Sequence, residues 1–228
     1  MSATPAKPLA SRRASVRRER EREIVAATRK LFDERGLKDA PIEEIARAVG
    51  INKALIYRHV SSKDELFVLA LTSYLTDLAI ELAGVPSTLD PVAQLTQVWR
   101  RYTAYCLEHP AFLDCGLSLM RQPADQLREE ISEAVWIRLG QSMASCLSPL
   151  ARILARGAQQ GLFNVTDPDF TANHLYTQTL GTMHLARIGV GVREGTNGVP
   201  EPFAVDPRRV QEACIADVLA SVGVRSPA

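Results

Sequence analysis

A chain of 228 residues with 46% hydrophobic content is long enough for one large domain or two smaller ones around a real core, which excludes disorder throughout. Net charge is only +1 but unevenly spread: residues 1–66 hold 15 Lys and Arg against 10 Asp and Glu (+5), whereas residues 67–228 hold 12 against 16 (−4). Cys106, Cys115, Cys146 and Cys214 form no CxxC pair and the N-terminus has no apolar signal region, so no disulfide framework, zinc site or secretion is indicated, and a reduced, cytoplasmic chain is expected.

Residues 1–18, rich in Pro, Ala and Ser and carrying Lys7, Arg12, Arg13, Arg17 and Arg18, read as a disordered basic arm, either tracking phosphates or merely solvated. From about Arg20 to Arg35 the stripe Ile24, Ala27, Leu31, Phe32 predicts a first helix, stopped by Gly36. Ile42, Ile45, Ala46 and Val49 recur at i, i+3, i+4 and i+7, which predicts a short second helix ended by Gly50. Asn52 caps the next helix. There Ile51, Ile56 and Val60 point back toward the second helix, leaving Lys53, Ala54, Leu55, Tyr57, Arg58 and His59 for the other faces. At Ser62 a fourth helix begins with S-x-x-E, Ser62 to Glu65, a reciprocal capping box. Two short helices joined by a tight turn, the second presenting Lys, Arg, His and Tyr, make a helix-turn-helix suited to phosphates and base edges.

Gly50, Ile51, Lys53, Ile56, Tyr57, His59, Val60, Lys63 and Leu66 fit the pattern G-[VI]-x-K-x-x-[LI]-Y-x-H-[FV]-x-x-K-x-x-L, which resembles the DNA-binding signature of TetR-family transcriptional regulators. The resemblance covers roughly Arg22 to Leu69. It departs at Ala54, where many members have glycine, and at Ala40-Pro41, which replace the hydroxyl residues that often open the helix before the turn. It implies an all-α fold, a helix-turn-helix DNA-binding domain (residues 19–66) followed by a helical effector-binding and dimerisation domain (residues 67–228), and a dimer built from the last two long helices.

Beyond Ser62 the fourth helix is expected to run to about Ala83 and to link the two regions mechanically. No apolar run is read as reaching the ~18 residues of a membrane span. Asp90-Pro91, Asp167-Pro168 and Asp206-Pro207 each place a capping carboxylate before a proline at the first helical position, predicting helices from Pro91 to about Glu108, Pro168 to about Val192 and Pro207 to about Val222. Between the first two, a short helix is expected from Pro110 to about Arg121, then one from Pro123 to Gln160 that Pro149 kinks or breaks. Arg193 to Val205 reads as a Gly/Pro-rich loop, and no β pattern is found.

The candidate residues follow. Lys53, Ala54, Leu55 and Arg58 are assigned to base edges, with Tyr57, His59, Lys63 and Arg47 on phosphates; for Tyr57, packing within the small domain is compatible with that role. Trp99, Tyr102, Phe112, Met120, Trp136, Leu139 and Met143 either line a pocket for an apolar effector, as the resemblance implies, or are plain core. Thr179, Thr182, Met183, Ala186, Val210, Cys214, Val218 and Val222 are assigned to the dimer interface, against a fully internal packing in a monomer. No catalytic motif, cofactor motif or metal-ligand spacing is present; His174 and His184 are not at i, i+4. The expected partners are double-stranded DNA, a second copy of the chain and a small, hydrophobic effector. The expected function is a ligand-responsive regulator, a repressor on a palindromic operator. The alternative is a helical small-molecule-binding protein that does not act on DNA.

Overall fold

The computed structural model describes residues 9–36, 40–121 and 123–224, with side chains from Ser15 onward except that of Asn197. Lys7 and the side chains of Arg12 and Arg13, part of the expected basic arm, lie outside the described residues. Helix α1 spans Leu9–Arg35, so the stretch from Leu9 to Arg18 is helix rather than disordered arm. Between Pro8 and Pro41 the sequence has no proline and is rich in Arg, Glu and Ala, good helix formers, and Arg20 pairs with Glu23 one turn on.

Helix α2 (Ile42–Val49) ends on Gly50 at φ 72, with the Ile51 amide returning to the Ala46 carbonyl at 2.9 Å. Pro41 gives it no side-chain cap. Helix α3 is only Lys53–Ile56, capped by Asn52 Oδ1 on the Leu55 amide, and the chain continues through a turn at residues 57–59. Helix α4 (Lys63–Ala83) starts on Ser62, whose Oγ accepts from the Glu65 amide at 2.9 Å. The other half of the expected capping box is redirected: the Glu65 carboxylate accepts from the Ser61 amide and hydroxyl and from the Ser132 amide.

Further along the chain, the three Asp-Pro signals behave as read. Asp90, Asp167 and Asp206 accept from the first amides of α5 (Pro91–Glu108), α9 (Pro168–Ile188) and α10 (Pro207–Ser221). Between α5 and α9 lie α6 (Pro110–Leu119), α7 (Ala124–Glu130) and α8 (Glu133–Gln159). The interruption expected at Pro149 falls instead at residues 131–132, and α8 runs through Pro149. The carbonyl that proline leaves without a helical donor belongs to Ser145, which is exposed, so water can serve it.

Two expectations about the chain's texture are corrected. Gly189 (φ 71) ends α9 at Ile188, and Val190–Glu194 (β1) pairs antiparallel with Pro200–Ala204 (β2), Arg193 opposite Glu201. Val190, Val192 and Val199 are β-branched, and the two prolines of β2 are tolerated because a two-stranded ribbon has only edges. Second, α4 is long and apolar enough to cross a membrane by length and composition, contrary to the reading that no run is. Half of that window is buried inside the protein, and α4 packs against α1, α5, α6 and α8, which makes it the central helix of the bundle.

One apolar core runs from Ile24 in α1 to Val222 after α10. Arg29 of α1 donates to Ser73 and Asp77 of α4 and lies 4.0 Å over the Tyr74 ring, while the Tyr74 hydroxyl donates to Asp33 at 2.7 Å. Thus α1 and α4 are joined by polar bonds as well as apolar packing.

Candidate nucleic-acid interface

The helix-turn-helix buries Ile42, Ile45, Ala46, Ile56 and Val60 and leaves Lys53, Ala54, Tyr57, Arg58 and Lys63 exposed, with Leu55 half-buried. Burial on one side and cations on the other follows from the i, i+4 spacing of Ile56 and Val60. Arg47, on the last turn of α2, is also exposed. Arg47, Arg58 and Lys63 carry no ion pair among the described residues, so they are available to phosphate or base oxygens without first giving up a carboxylate.

Lys53 is different. Its Nζ lies 2.6 Å from Glu43 Oε1 across the turn, and the pair raises the lysine pKa and lowers that of the carboxylate. A DNA contact by Lys53 therefore exchanges one anion for another. Glu44, the neighbouring carboxylate, is taken by Arg35. Both acidic residues of the α2 first turn are thereby paired, which weakens their repulsion of an approaching polyanion. No local sequence pattern signals either pair, because the partners are nine and ten residues apart across loops.

His59 is half-buried, and among the described residues its enclosed Nδ1 has no hydrogen-bond partner. Burial holds its pKa below the usual imidazole value, Arg17 and Arg20 adding to the effect and Glu21 opposing it. A neutral ring whose enclosed nitrogen carries the lone pair keeps its proton on the other nitrogen, where it can be donated. Tyr57 is 43% exposed, so its ring serves packing only in part.

In the body, a cavity lies among α4, α5, α8 and α9. Trp99, Tyr102 and Met143 line it, as expected of three of the seven pocket candidates. The other four do not. Phe112 is wholly buried against Tyr74, Tyr102 and Tyr105; Leu139 is buried outside the cavity; Met120 is exposed at the end of α6; and Trp136 lies under Arg128, 6.0 Å from its ring centre. Sequence reasoning missed Leu75, Leu78, Leu82 and Tyr176 among the lining residues. The three leucines were read only as part of a linking helix, because an apolar stripe does not say which of its members face a gap. Cys115 and Cys146 are buried, and burial pushes the Cys146 thiol up to about 12, which removes thiolate reactivity.

The residues expected at the dimer interface lie as follows in the single chain. Thr179, Met183, Ala186, Val210, Cys214, Val218 and Val222 are buried within the chain's own bundle, and Thr182 is half-buried. Trp99 Nε1 donates to Thr179 Oγ1 at 2.8 Å. These residues form the inner faces of α9 and α10, where α10 packs against α5 and α9, and α9 packs against α8. The outer faces carry Thr177, Gly181, His184, Leu185 and Ile188 on α9 and Ala213, Ala216, Asp217 and Ala220 on α10, all exposed.

Residues 24–70 match the family model described as "Bacterial regulatory proteins, tetR family". Over 90 residues the chain is 33% identical to the HTH-type transcriptional regulator HbdR of Aromatoleum sp. (strain CIB), covering 39% of this chain and 38% of that protein. Over 73 residues it is 36% identical to the HTH-type transcriptional activator FasR of Mycolicibacterium smegmatis, covering 32% of each. The chain thus spans less than two fifths of the length of the curated relatives it matches. The crystal structure of RolR in complex with resorcinol superposes with a TM-score of 0.66 at 18% identity, covering 93% of this chain and 91% of that one, which shows a common fold over nearly the whole length. The matched relatives are regulators, not enzymes.

Proposed function

We propose, from the match of residues 24–70 to the tetR-family model and the fold shared with RolR, that this chain is a cytoplasmic, homodimeric, ligand-responsive transcriptional repressor. The observation that carries the reading is the set of exposed cations Arg47, Arg58 and Lys63, none in a salt bridge among the described residues, beside the exposed face of α3 on a head fixed by a buried apolar core. Arg58 reads a guanine, Ala54 or Leu55 touches a thymine methyl, and Lys53 reaches a base edge after leaving Glu43. Tyr57, His59, Lys63 and Arg47 hold phosphates.

Two heads are needed because α3 is one turn long and spans only a few base pairs. The outer faces of α9 and α10 supply the surface. Of the large exposed apolar residues, Phe170, Leu185, Ile188, Val190, Val192, Val199 and Phe203 all fall between α9 and the end of the hairpin. A concentration of this kind on one side is what a second copy covers. The effector enters the body, and release from the operator follows when the two heads change their separation. RolR, whose structure holds resorcinol, supports a small-molecule site in a body of this fold.

A gel shift with purified protein and the region upstream of its own gene, at stated salt, tests the reading. A discrete complex that survives excess random duplex is expected; binding lost equally to random duplex would refute operator recognition.

A further inference from the structure

The cavity has a chemistry that limits what can enter it. Its walls include Leu78, Val98, Trp99, Met143, Leu147 and Tyr176, and none of its lining side chains is charged. An ion placed there would lose its hydration with nothing to replace it. Tyr102 also lines the cavity and is buried, and among the described residues its hydroxyl has beside it only the thiol of Cys106, a weak partner one turn on along α5. A buried hydroxyl in that condition gains from any guest that brings an oxygen to it.

The space is small, ≈ 30 Å³, room for about one water molecule. A guest of ordinary effector size therefore enters only by parting the walls, and the wall with the weakest bonds yields first. Three walls are tied firmly. On α4, Tyr74 accepts from the Tyr105 hydroxyl of α5 at 2.9 Å, α5 is bonded to α9 through Trp99 and Thr179, and α4 is bonded to α1 through Arg29. Beside the cavity the polar tie of α8 among the described residues is a thiol one, Cys146 Sγ to the Leu75 carbonyl at 3.3 Å. Its other polar ties are at its ends. Arg156 donates to Gln94 of α5 near the C-terminus, while at the N-terminus the Ser132 amide donates to Glu65 and Arg138 pairs with Glu21. Pressure in the middle of α8 is thus resisted at the far end by the body and at the near end by the DNA-binding head.

We propose that the cavity admits an uncharged, largely apolar molecule with one hydrogen-bonding group that meets the Tyr102 hydroxyl, and that its entry moves α8 and loosens the ties of Glu65 and Glu21 to that helix's first turns. This deepens the effector reading and rests on it. In a buried site worked by apolar contact plus one hydrogen bond, the ligand's charge state decides admission and its single polar group decides affinity.

The probes are phenol, toluene and benzoate at neutral pH, titrated into the full chain carrying Trp136→Phe so that Trp99 alone reports. Saturable fluorescence changes are expected with phenol and toluene, phenol the tighter, and none with benzoate. Tyr102→Phe is expected to weaken phenol by about fivefold and leave toluene unchanged. Arg138→Ala and Glu65→Gln are expected to tighten phenol by about two- to threefold each, because a ligand that must break a tie binds better once the tie is gone. Thermal unfolding of the unsubstituted chain should rank the three probes in the same order. No response to any probe, benzoate binding as well as phenol, or Tyr102→Phe without effect on phenol overturns the ligand assignment; phenol affinity unchanged in both tie variants overturns the route through α8. None of these readouts involves DNA, so a chain that binds phenol as described but no operator counts against the DNA reading alone.

Discussion

Lys53 shows how far a recognition residue differs from its position in a motif. Its spacing marks it for the groove, yet in the free protein it is half of a pair with Glu43. Glu43→Gln should therefore raise affinity for duplex DNA in general and steepen its salt dependence by up to one counterion, measured as the slope of log K against log salt. Arg58 has no such partner. Arg58→Ala is expected to relax preference at one base pair by roughly 1–3 kcal/mol, whereas Lys63→Ala should weaken all sequences alike and flatten the salt slope. Equal losses for Arg58→Ala on specific and random duplexes would remove it from the base-reading set.

His59 and Glu65 both contribute on the acid side of stability. Burial lowers the His59 pKa, so the unfolded chain takes up this proton more readily than the folded one. Stability present above the ordinary value of 6.5 is then lost as pH falls from there through the lower folded value. For Glu65, burial raises the pKa, but hydrogen bonds from Ser132 and Ser61 outweigh it and hold the carboxyl below 4.5. Its contribution is present above 4.5 and lost as pH falls through the folded value. Thermal midpoints followed from pH 7 to 3 should fall in two stages, and His59→Gln should flatten the upper one while leaving the lower.

Among the elements, the head is the part most legible in the sequence. Gly50, the Asn52 cap and the Ile56–Val60 spacing are local signals, and each forms as read. The same holds for the three Asp-Pro helix starts, where Asp167→Ala should cost about 1 kcal/mol in denaturant unfolding. The end of α9 expected at about Val192 falls late because Gly189 and Gly191, set between Val190 and Val192, do not by themselves mark where the helix stops, and only pairing with Pro200–Ala204 settles Val190–Glu194 as one strand of a hairpin. Pro149 was given too much weight: an exposed carbonyl makes a proline inside a helix tolerable. Least legible was α8 as a bridge, because its ties run from Glu65 to Ser132 and from Glu21 to Arg138, far apart in the chain. Glu65→Ala is expected to destabilise the fold by about 1–3 kcal/mol, since it leaves the Ser132 amide without its acceptor.

At the scale of the whole molecule, the apolar row of α10 is legible in the sequence, but its cover is not. Periodicity shows that Val210, Cys214 and Val218 are covered, but not by what, and their own bundle covers them. The surface left for a second copy is the small-residue face of Ala213, Ala216 and Ala220 with the outer face of α9. Ala216→Glu combined with Ala220→Glu should yield a folded monomer in sedimentation, because both positions are exposed in the single chain and a stable interface buries ~1,200–2,000 Å² that tolerates little unpaired charge. The cavity follows the same logic: aromatics and methionines marked the right region, and only the packing told wall from filler.

Two heads on one duplex is the claim from which the rest follows, and it is tested most directly by selecting bound sequences from a pool of random duplexes and measuring the mass of the recovered complex. The account predicts an inverted repeat whose half-sites are set by the helical turn of DNA, bound by two copies of the chain or a multiple of two. Recovery of no shared sequence, or of a single unrepeated site bound by one copy, would contradict it.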